Sequence, residues 1–188
     1  MLWTQLGLDI EGEAPEDYSG WSIDLSNDGS VLAVGAFANV GKGNAGGHVR
    51  VFKNLNGIWE QVGNDIDGDY GNQLGFSVSL SDDGNVLATG GPNFGPGIVK
   101  IFQNINGDWE QIGADINGEG SSDQFGHSLA LSGDGSIAVM GGVLNSNVNG
   151  ENSGNVRVFE RIESQWVQLG QSIMGENAGD MSGHAVSV

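Results

Sequence analysis

Acidic side chains at short, regular spacing are the residues of this sequence best suited to chemistry. The segment Asp65-Ile-Asp-Gly-Asp69 carries carboxylates at alternate positions, which an extended backbone points in one direction. A later segment repeats the arrangement with oxygen-bearing side chains at Asp115, Asn117 and Glu119. Calcium takes about six to eight oxygen ligands, so backbone carbonyls and water would have to complete each set. The sequence therefore predicts weak calcium binding at these two segments, through Asp65, Asp67, Asp69, Asp115, Asn117 and Glu119.

The corresponding segment near the end of the chain lacks the pattern, because Ser172 and Met174 interrupt it, and no calcium is expected there. The alternative for all these acidic segments is that they only keep the surface hydrated. The whole chain carries 24 acidic and six basic residues, for a net charge of −18. Such a charge repels nucleic acid and anionic membranes and favours cations or basic partners. We therefore expect no nucleic-acid partner and no membrane insertion.

Nucleophilic and acid–base catalysis find little support. Cysteine is absent, and the serines that follow Gly20, Gly75 and Gly126 occupy one repeated position where a small side chain packs. Two of the three histidines, His127 and His184, replace aromatic residues of other copies, so a flat ring between structural units is expected there. No catalytic residue and no certain cofactor is assigned, and the chain is expected not to be an enzyme by itself.

Basic residues are also arranged unlike those of a carboxylate-binding enzyme such as a sialidase, which needs several converging arginines. Arg50, Lys100 and Arg157 fall at one repeated position, which separates them in space.

Internal repeats dominate the sequence. A Trp-x-Gln-x-Gly motif recurs, and a block of the form Gly-aromatic-Ser, followed by alternating apolar residues, recurs after it. The tryptophans are Trp3, Trp59, Trp109 and Trp166. We expect them to be structural anchors rather than a ligand-stacking row.

Each repeat reads as four antiparallel strands. Phe76, Val78 and Leu80 alternate with serines, as in a strand with one apolar face, and Asp83-Gly84 then supplies a tight hairpin. A second hairpin, at Asn56-Gly57 or Asn106-Gly107, joins strands three and four; in the last copy Glu163-Ser164 replaces it, so that turn must be built differently.

Four strands in each repeat predict the blade of a β-propeller. The expected fold is all-β: one segment over residues 1–188, with three full blades and one strand at each end. The repeat units cover about 20–72, 75–122 and 126–179, with half-units at both ends. A ring needs at least about four blades, so we expect an open arc that is part of a larger propeller, or a protomer that closes its ring by self-association through the open blade ends.

The repeat resembles the FG-GAP propeller repeat of the integrin α type. The resemblance rests on Gly75-Phe-Ser-Val-Ser-Leu-Ser-Asp-Asp-Gly84 with Ala88-Thr-Gly-Gly-Pro92, and on Phe125-Gly126 with Met140-Gly-Gly142. It implies an adhesion or recognition module outside the cell or at its surface. Many members of that family carry a calcium loop between strands one and two. Here the turns at 26–29, 81–84 and 132–135 are too short for such a loop, so that role is not transferred to them.

The geometry of a blade predicts which surface acts. Both tight hairpins lie on one rim, and the acidic connections between blades lie on the other, together with the segments of variable length, 37–47, 92–97 and 143–155. We expect a recognition or scaffold module that binds a protein or glycan partner through this acidic, loop-bearing rim. The alternatives are part of a propeller hydrolase or lyase with catalytic residues outside this chain, and a self-assembling structural repeat. The first residues lack the features of a signal peptide, so either the chain is cytoplasmic or a leader precedes it.

Overall fold

The computed structural model describes residues 2–40, 45–93 and 95–188, and it consists of three antiparallel sheets that follow one another along the chain. Each sheet is one repeat, which confirms the predicted all-β propeller arc of four-stranded blades. The described residues contain no helix long and apolar enough to cross a membrane.

The first blade contains β1 (Ser22–Leu25), β2 (Val31–Ala36), β3 (His48–Leu55), β4 (Ile58–Gln61) and β5 (Ile66–Asp67). The second contains β6 (Ser77–Leu80), β7 (Val86–Gly91), β8 (Ile98–Ile105), β9 (Asp108–Gln111) and β10 (Ile116–Asn117). The third contains β11 (Phe125–Leu131), β12 (Ile137–Gly142), β13 (Asn155–Ile162), β14 (Gln165–Gln168) and β15 (Ile173–Met174).

The predicted fourth strand of every blade is divided into two short strands. In the first blade β4 and β5 both pair with β3, so they are two parts of one edge strand. The break follows the Trp-x-Gln-x-Gly motif, where Gly63 has a φ of 75°, a left-handed value that an extended ladder does not contain. Val62, just before the glycine, still donates to the carbonyl of Val51 at 2.8 Å. After the glycine the edge pairs with β3 again, but the register is shifted by two residues, from Phe52 opposite Gln61 to Val49 opposite Ile66.

The two terminal segments expected to be strands have no ladder partner among the described residues, although they occupy blade-like positions. The indole of Trp59 donates to the Leu6 carbonyl at 3.0 Å, as Trp109 donates to Val62 at 3.1 Å one blade later. At the other end Ser128 donates to the carbonyl of Gly183 at 2.7 Å. Each terminal segment therefore makes the hydrogen bond expected at its repeat position, but no described strand pairs with it.

The hydrophobic core lies between the blades. One buried cluster joins the first two blades through residues such as Val51, Val78 and Leu80, and another joins the second and third through Ile101 and Leu131. Neighbouring blades touch mainly through their first two strands. The blades are therefore close at the first strands, and grooves remain between their third and fourth strands.

The repeated serine on the first strand bridges one blade to the next. Ser22 donates to the carbonyl of Gly75 at 2.8 Å, and Ser77 donates to that of Gly126 at 2.7 Å. Gly75 has a φ of 88°, a conformation that strains any residue with a Cβ. The predicted structural role of these serines is confirmed, and it includes a hydrogen bond in addition to their small size.

Candidate functional site

The loops and the acidic connections do share one rim, as blade geometry predicts. Backbone hydrogen bonds join the two within each blade: Gly68 donates to Gly47 at 2.9 Å and Gly175 donates to Gly154 at 3.0 Å. Parts of two variable segments, residues 41–44 and residue 94, lie outside the described residues. The remaining parts show that each loop is anchored on the connection beside it.

Two carboxylates of the acidic connections hold these loops in shape. The Oδ2 atom of Asp17, which is buried, accepts hydrogen bonds from the Ala14 amide at 3.1 Å and from the Asn39 side chain at 2.8 Å. Asp123 is also buried and accepts from the Gly120 amide at 2.6 Å and from Asn145 at 2.9 Å. Their oxygens already have several donors, so these two acids have a structural role.

A groove runs between the first and second blades on the side of their outer strands, with a volume of about 490 Å³. Asp65, Asp67 and Asp69 line one wall, and Lys100 and Trp109 line the other. This groove brings together the first of the two predicted calcium segments.

Lys100 places its ammonium group between the two predicted segments. Its Nζ lies 3.1 Å from Oδ2 of Asp69 and 3.6 Å from Oδ2 of Asp115, and its side chain is only 12% exposed. Each predicted set therefore contributes one carboxylate to a single lysine, a regrouping that the sequence does not reveal. Calcium binding by the six residues stays a prediction, and the ammonium group of Lys100 would compete with calcium for Asp69 and Asp115.

Arg157 has the equivalent place between the second and third blades. Its guanidinium lies between the rings of Phe125 and Phe159, at 5.0 and 4.9 Å from their centroids. It donates to the backbone carbonyl of Asn117 at 2.9 Å, and its Nε lies 3.9 Å from a carboxylate oxygen of Glu119. Burial lowers the pKa of Arg157, whereas the Glu119 and Asp123 carboxylates act in the opposite direction. Asn117 and Glu119, from the second predicted set, thus contact an arginine.

The glutamine of the Trp-x-Gln-x-Gly motif orients the acid four positions later. Gln61 donates to Oδ1 of Asp65 at 2.7 Å, and Gln111 donates to Oδ1 of Asp115 at 2.8 Å. The other oxygen of each carboxylate then faces the third strand of its own blade. That oxygen in Asp65 lies 3.8 Å from Nδ1 of His48.

A row of rings marks the inner part of the loop-bearing rim, where each first strand begins. Successive blades contribute Trp21, Phe76, His127 and His184, with centroid separations of 5.6, 5.3 and 4.9 Å along the row. The prediction that this repeated position holds a flat ring between blades is thereby confirmed. Burial, and secondarily the neighbouring His184, lower the pKa of His127.

Tyr18 and Phe37 extend this ring row on the rim, and neither was singled out from the sequence. Phe37 lies 4.9 Å from Trp21 and 5.2 Å from Tyr18, measured between ring centroids. Tyr18 is 56% exposed and Trp21 is 52% exposed. The sequence offers only their positions as a signal that these rings meet Trp21: Tyr18 lies in the connection before β1, and Phe37 begins the variable loop after β2.

Comparisons with known proteins support the fold alone. A proposed 6-phosphogluconolactonase of Bacteroides fragilis superposes with a TM-score of 0.59 and 17% identity, over 87% of this chain and 41% of that one. A proposed 6-phosphogluconolactonase of Bacteroides uniformis gives 0.53 and 15%, over 79% and 39% of the two chains. The hydrazine synthase of Kuenenia stuttgartiensis gives 0.56 and 16%, over 94% and 40%.

The chain spans about two fifths of the length of these structures. No protein-family model and no curated protein sequence matches the chain. The integrin-like repeat therefore stays a resemblance, whereas the propeller architecture is common to this chain and the similar structures.

Proposed function

We propose that this chain is part of a non-enzymatic β-propeller module, located outside the cell or at its surface, that binds a partner through its loop-bearing rim. The supporting observation is that the half-exposed rings of Tyr18 and Trp21 pack on the partly buried ring of Phe37, on the same rim as the acidic connections. Binding residues are commonly carried on loops that a rigid scaffold positions, and blades provide such a scaffold.

The chemistry of this rim favours a basic protein segment over a glycan. The chain has a net charge of −18, which attracts cationic partners and accelerates their association. Exposed indole and phenol rings bind ammonium and guanidinium groups through their faces. An uncharged glycan would use the rings but gain nothing from the carboxylates.

Titration with a lysine- and arginine-rich peptide, followed by tryptophan fluorescence, tests the proposal. We expect saturable binding that weakens as salt is raised, and a several-fold loss of affinity in Tyr18→Asn. Asparagine is suited to this position because residue 18 has a φ of 55°, which asparagine tolerates. Ile58→Asn, which changes a 61% exposed side chain beside the Asn56-Gly57 hairpin on the opposite rim, is the control and should bind normally.

Two results would overturn the proposal. One is the absence of binding by the peptide, and the other is an equal affinity in wild type and Tyr18→Asn. A neutral oligosaccharide measured in parallel distinguishes the second partner class: saturable, salt-independent binding of the sugar alone would replace the basic segment by a glycan.

A propeller hydrolase is the second candidate, because two of the similar structures bear the name of a lactonase. The phosphate of a 6-phosphogluconolactone is anionic, and a chain with 24 acidic and six basic residues would repel it. Lactone hydrolysis by this chain above the spontaneous rate would favour the hydrolase over the recognition module.

A further inference from the structure

A first groove, between the first blade and the residues before it, is lined by residues such as Glu11 and Arg50, and it corresponds to the second groove, between the first and second blades. On β3, two residues before Arg50, a buried histidine faces two carboxylates. His48 is 2% exposed, and its Nδ1 lies 3.7 Å from Oε2 of Glu13 and 3.8 Å from Oδ2 of Asp65. One ligand atom from each residue lies within 4.8 Å of the others. Within the part of the chain that the structure describes, these are the charged groups at ion-pair distance from the imidazole.

The distances suit a shared ion better than a direct hydrogen bond. A charge-assisted N–H···O bond is about 2.7–2.9 Å long, about an ångström shorter than the distances here. Two ligands bound tetrahedrally to zinc, each about 2.0–2.1 Å from the metal, lie about 3.4 Å apart. Small side-chain rotations would therefore bring the three atoms around one ion.

In the second groove, a lysine lies between the two carboxylates that are equivalent by repeat position to Glu13 and Asp65. There Asp69 and Asp115 flank the ammonium group of Lys100. In the first groove the residue equivalent to Lys100 is Arg50, but it donates to the Glu11 carbonyl at 2.6 Å and to Ser19 at 3.4 Å. His48 faces the carboxylates in its place, and a neutral imidazole offers a lone pair where lysine offers a positive charge.

We propose that Glu13, His48 and Asp65 bind a divalent transition-metal ion of the zinc class. One imidazole nitrogen with two carboxylate oxygens is a donor set for zinc, whereas calcium is bound by oxygen atoms. Glu13 is 45% exposed and Asp65 is 30% exposed, so water can complete the coordination on the open side. Because Glu13 belongs to the segment before the first blade, the ion would also fasten that segment to the blade.

Calorimetric titration of Zn²⁺ into chelator-treated protein tests the site. We expect one binding event per chain in wild type, and at least a ten-fold loss of affinity in both His48→Gln and Glu13→Gln. Glu13→Gln changes a half-exposed side chain and should fold, which keeps the test informative even if His48→Gln does not. Replacement of zinc by Co²⁺ should give visible absorption that is missing from Glu13→Gln.

Two matched controls locate the ion. Asp115→Asn alters the equivalent carboxylate of the second groove and should leave zinc binding unchanged. His184→Gln removes a histidine of the ring row, where the imidazoles of His127 and His184 lie 4.9 Å apart and offer a different nitrogen-ligand site. Retained affinity in Glu13→Gln together with its loss in His184→Gln would place the ion at the ring row and overturn the proposal. The absence of zinc binding by wild type would also overturn it and leave Glu13, His48 and Asp65 as an ion-paired cluster.

Discussion

At the scale of single residues, charge in this protein is arranged around a few basic side chains between blades. Lys100 and Arg157 each lie among carboxylates or carbonyls contributed by two blades, and both are nearly buried. A carboxylate that is taken out of water needs a partner, so a lysine or arginine in each groove lowers the cost of bringing acidic connections together. The same arrangement makes these side chains competitors of any added cation.

Calcium binding at Asp65, Asp67 and Asp69 is therefore expected to be weak in wild type and tighter in Lys100→Gln. Removal of the ammonium group leaves Asp69 and Asp115 without their shared positive charge and frees their oxygens for the ion. Calorimetric titration of calcium into wild type, Lys100→Gln and Asp67→Asn/Asp69→Asn measures both effects. Equal heats from wild type and the double variant, or no heat from any of the three, would mean that these carboxylates only hydrate the surface.

The tight turn of the third blade should make stability depend on pH in the acid range. Hydrogen bonds from the Ser132 hydroxyl, and next from Ser136, lower the pKa of Asp134 to about 2, from a value of 3.8 in an unfolded chain. Because the pKa is lower in the folded state, the turn contributes fully above about pH 4, and this contribution is lost as the pH falls towards 2.

The neutral variant Asp134→Asn isolates this contribution from the general repulsion among acids. We expect its melting temperature to lie below that of wild type at pH 6 and to approach it between pH 4 and pH 2. Circular dichroism melting of both proteins over this range is the measurement. A constant difference at every pH would show that ionisation of Asp134 does not stabilise the turn.

At the scale of elements, the tryptophan of each fourth strand anchors one blade to the connection before it. Trp109 is partly buried against the core of the first two blades and donates to Val62 at 3.1 Å. Trp166 packs in the same way on the next core, but its buried Nε1 has no hydrogen-bond partner among the described residues. Trp3, at the same repeat position, is fully exposed, so the predicted anchoring role is not seen for this tryptophan among the described residues.

These differences predict different mutational costs. Trp109→Ala should lower the free energy of unfolding by about 2–4 kcal/mol, less than for a fully buried ring. Trp109→Phe should cost about 1 kcal/mol more than Trp166→Phe, because only the first loses a hydrogen bond. Urea unfolding of the three variants checks both statements. A Trp109→Ala protein with unchanged stability would show that the ring is not an anchor.

The ring row predicts a second pH effect, at the slot filled by Phe76 in one blade and His127 in the next. Burial, then the neighbouring His184, lower the pKa of His127 below its usual 6.5. The folded state therefore binds protons more weakly than the unfolded state, and stability present above pH 6.5 is lost as the pH falls through the lower folded pKa. His127→Phe should remove this loss, so its advantage in melting temperature over wild type should grow from pH 7 to pH 5. An advantage that stays constant with pH would contradict the assignment.

The sequence predicts the repeated blades well, but it predicts poorly which side chains of neighbouring blades come into contact. Alternating apolar residues, Asp-Gly turns and the tryptophan motif locate each blade, because these signals act within a few neighbouring residues. The contacts of Lys100 depend on carboxylates from two different connections, and their convergence follows from the angle between blades. His48 is an unrepeated histidine two positions before the basic residue of its strand, and this irregularity was a signal that could have been used.

At the scale of the whole molecule, the first blade exposes a surface that the other blades bury. Val78 and Leu80 of the second blade, and Leu129 and Leu131 of the third, are buried against the blade before them. Their equivalents in the first blade, Ile23 and Leu25, are 63% and 50% exposed. The apolar side chains that pack against a preceding blade elsewhere are therefore exposed to water on this face. The surface of a further blade would cover them.

We therefore expect the 188-residue chain to self-associate through this face. Burial of apolar surface contributes about 25 cal/mol per Å², so even a modest contact between two open faces would give measurable association. Sedimentation velocity over a range of concentrations should show species larger than a monomer for wild type, and a shift towards monomer for Ile23→Ser/Leu25→Ser. Ile58→Ser is the matched control, because Ile58 is 61% exposed but lies on the fourth strand, away from the open face. A monomer at all concentrations would argue that the open face is stable in water, and equal association of the wild type and the double variant would place the contact elsewhere.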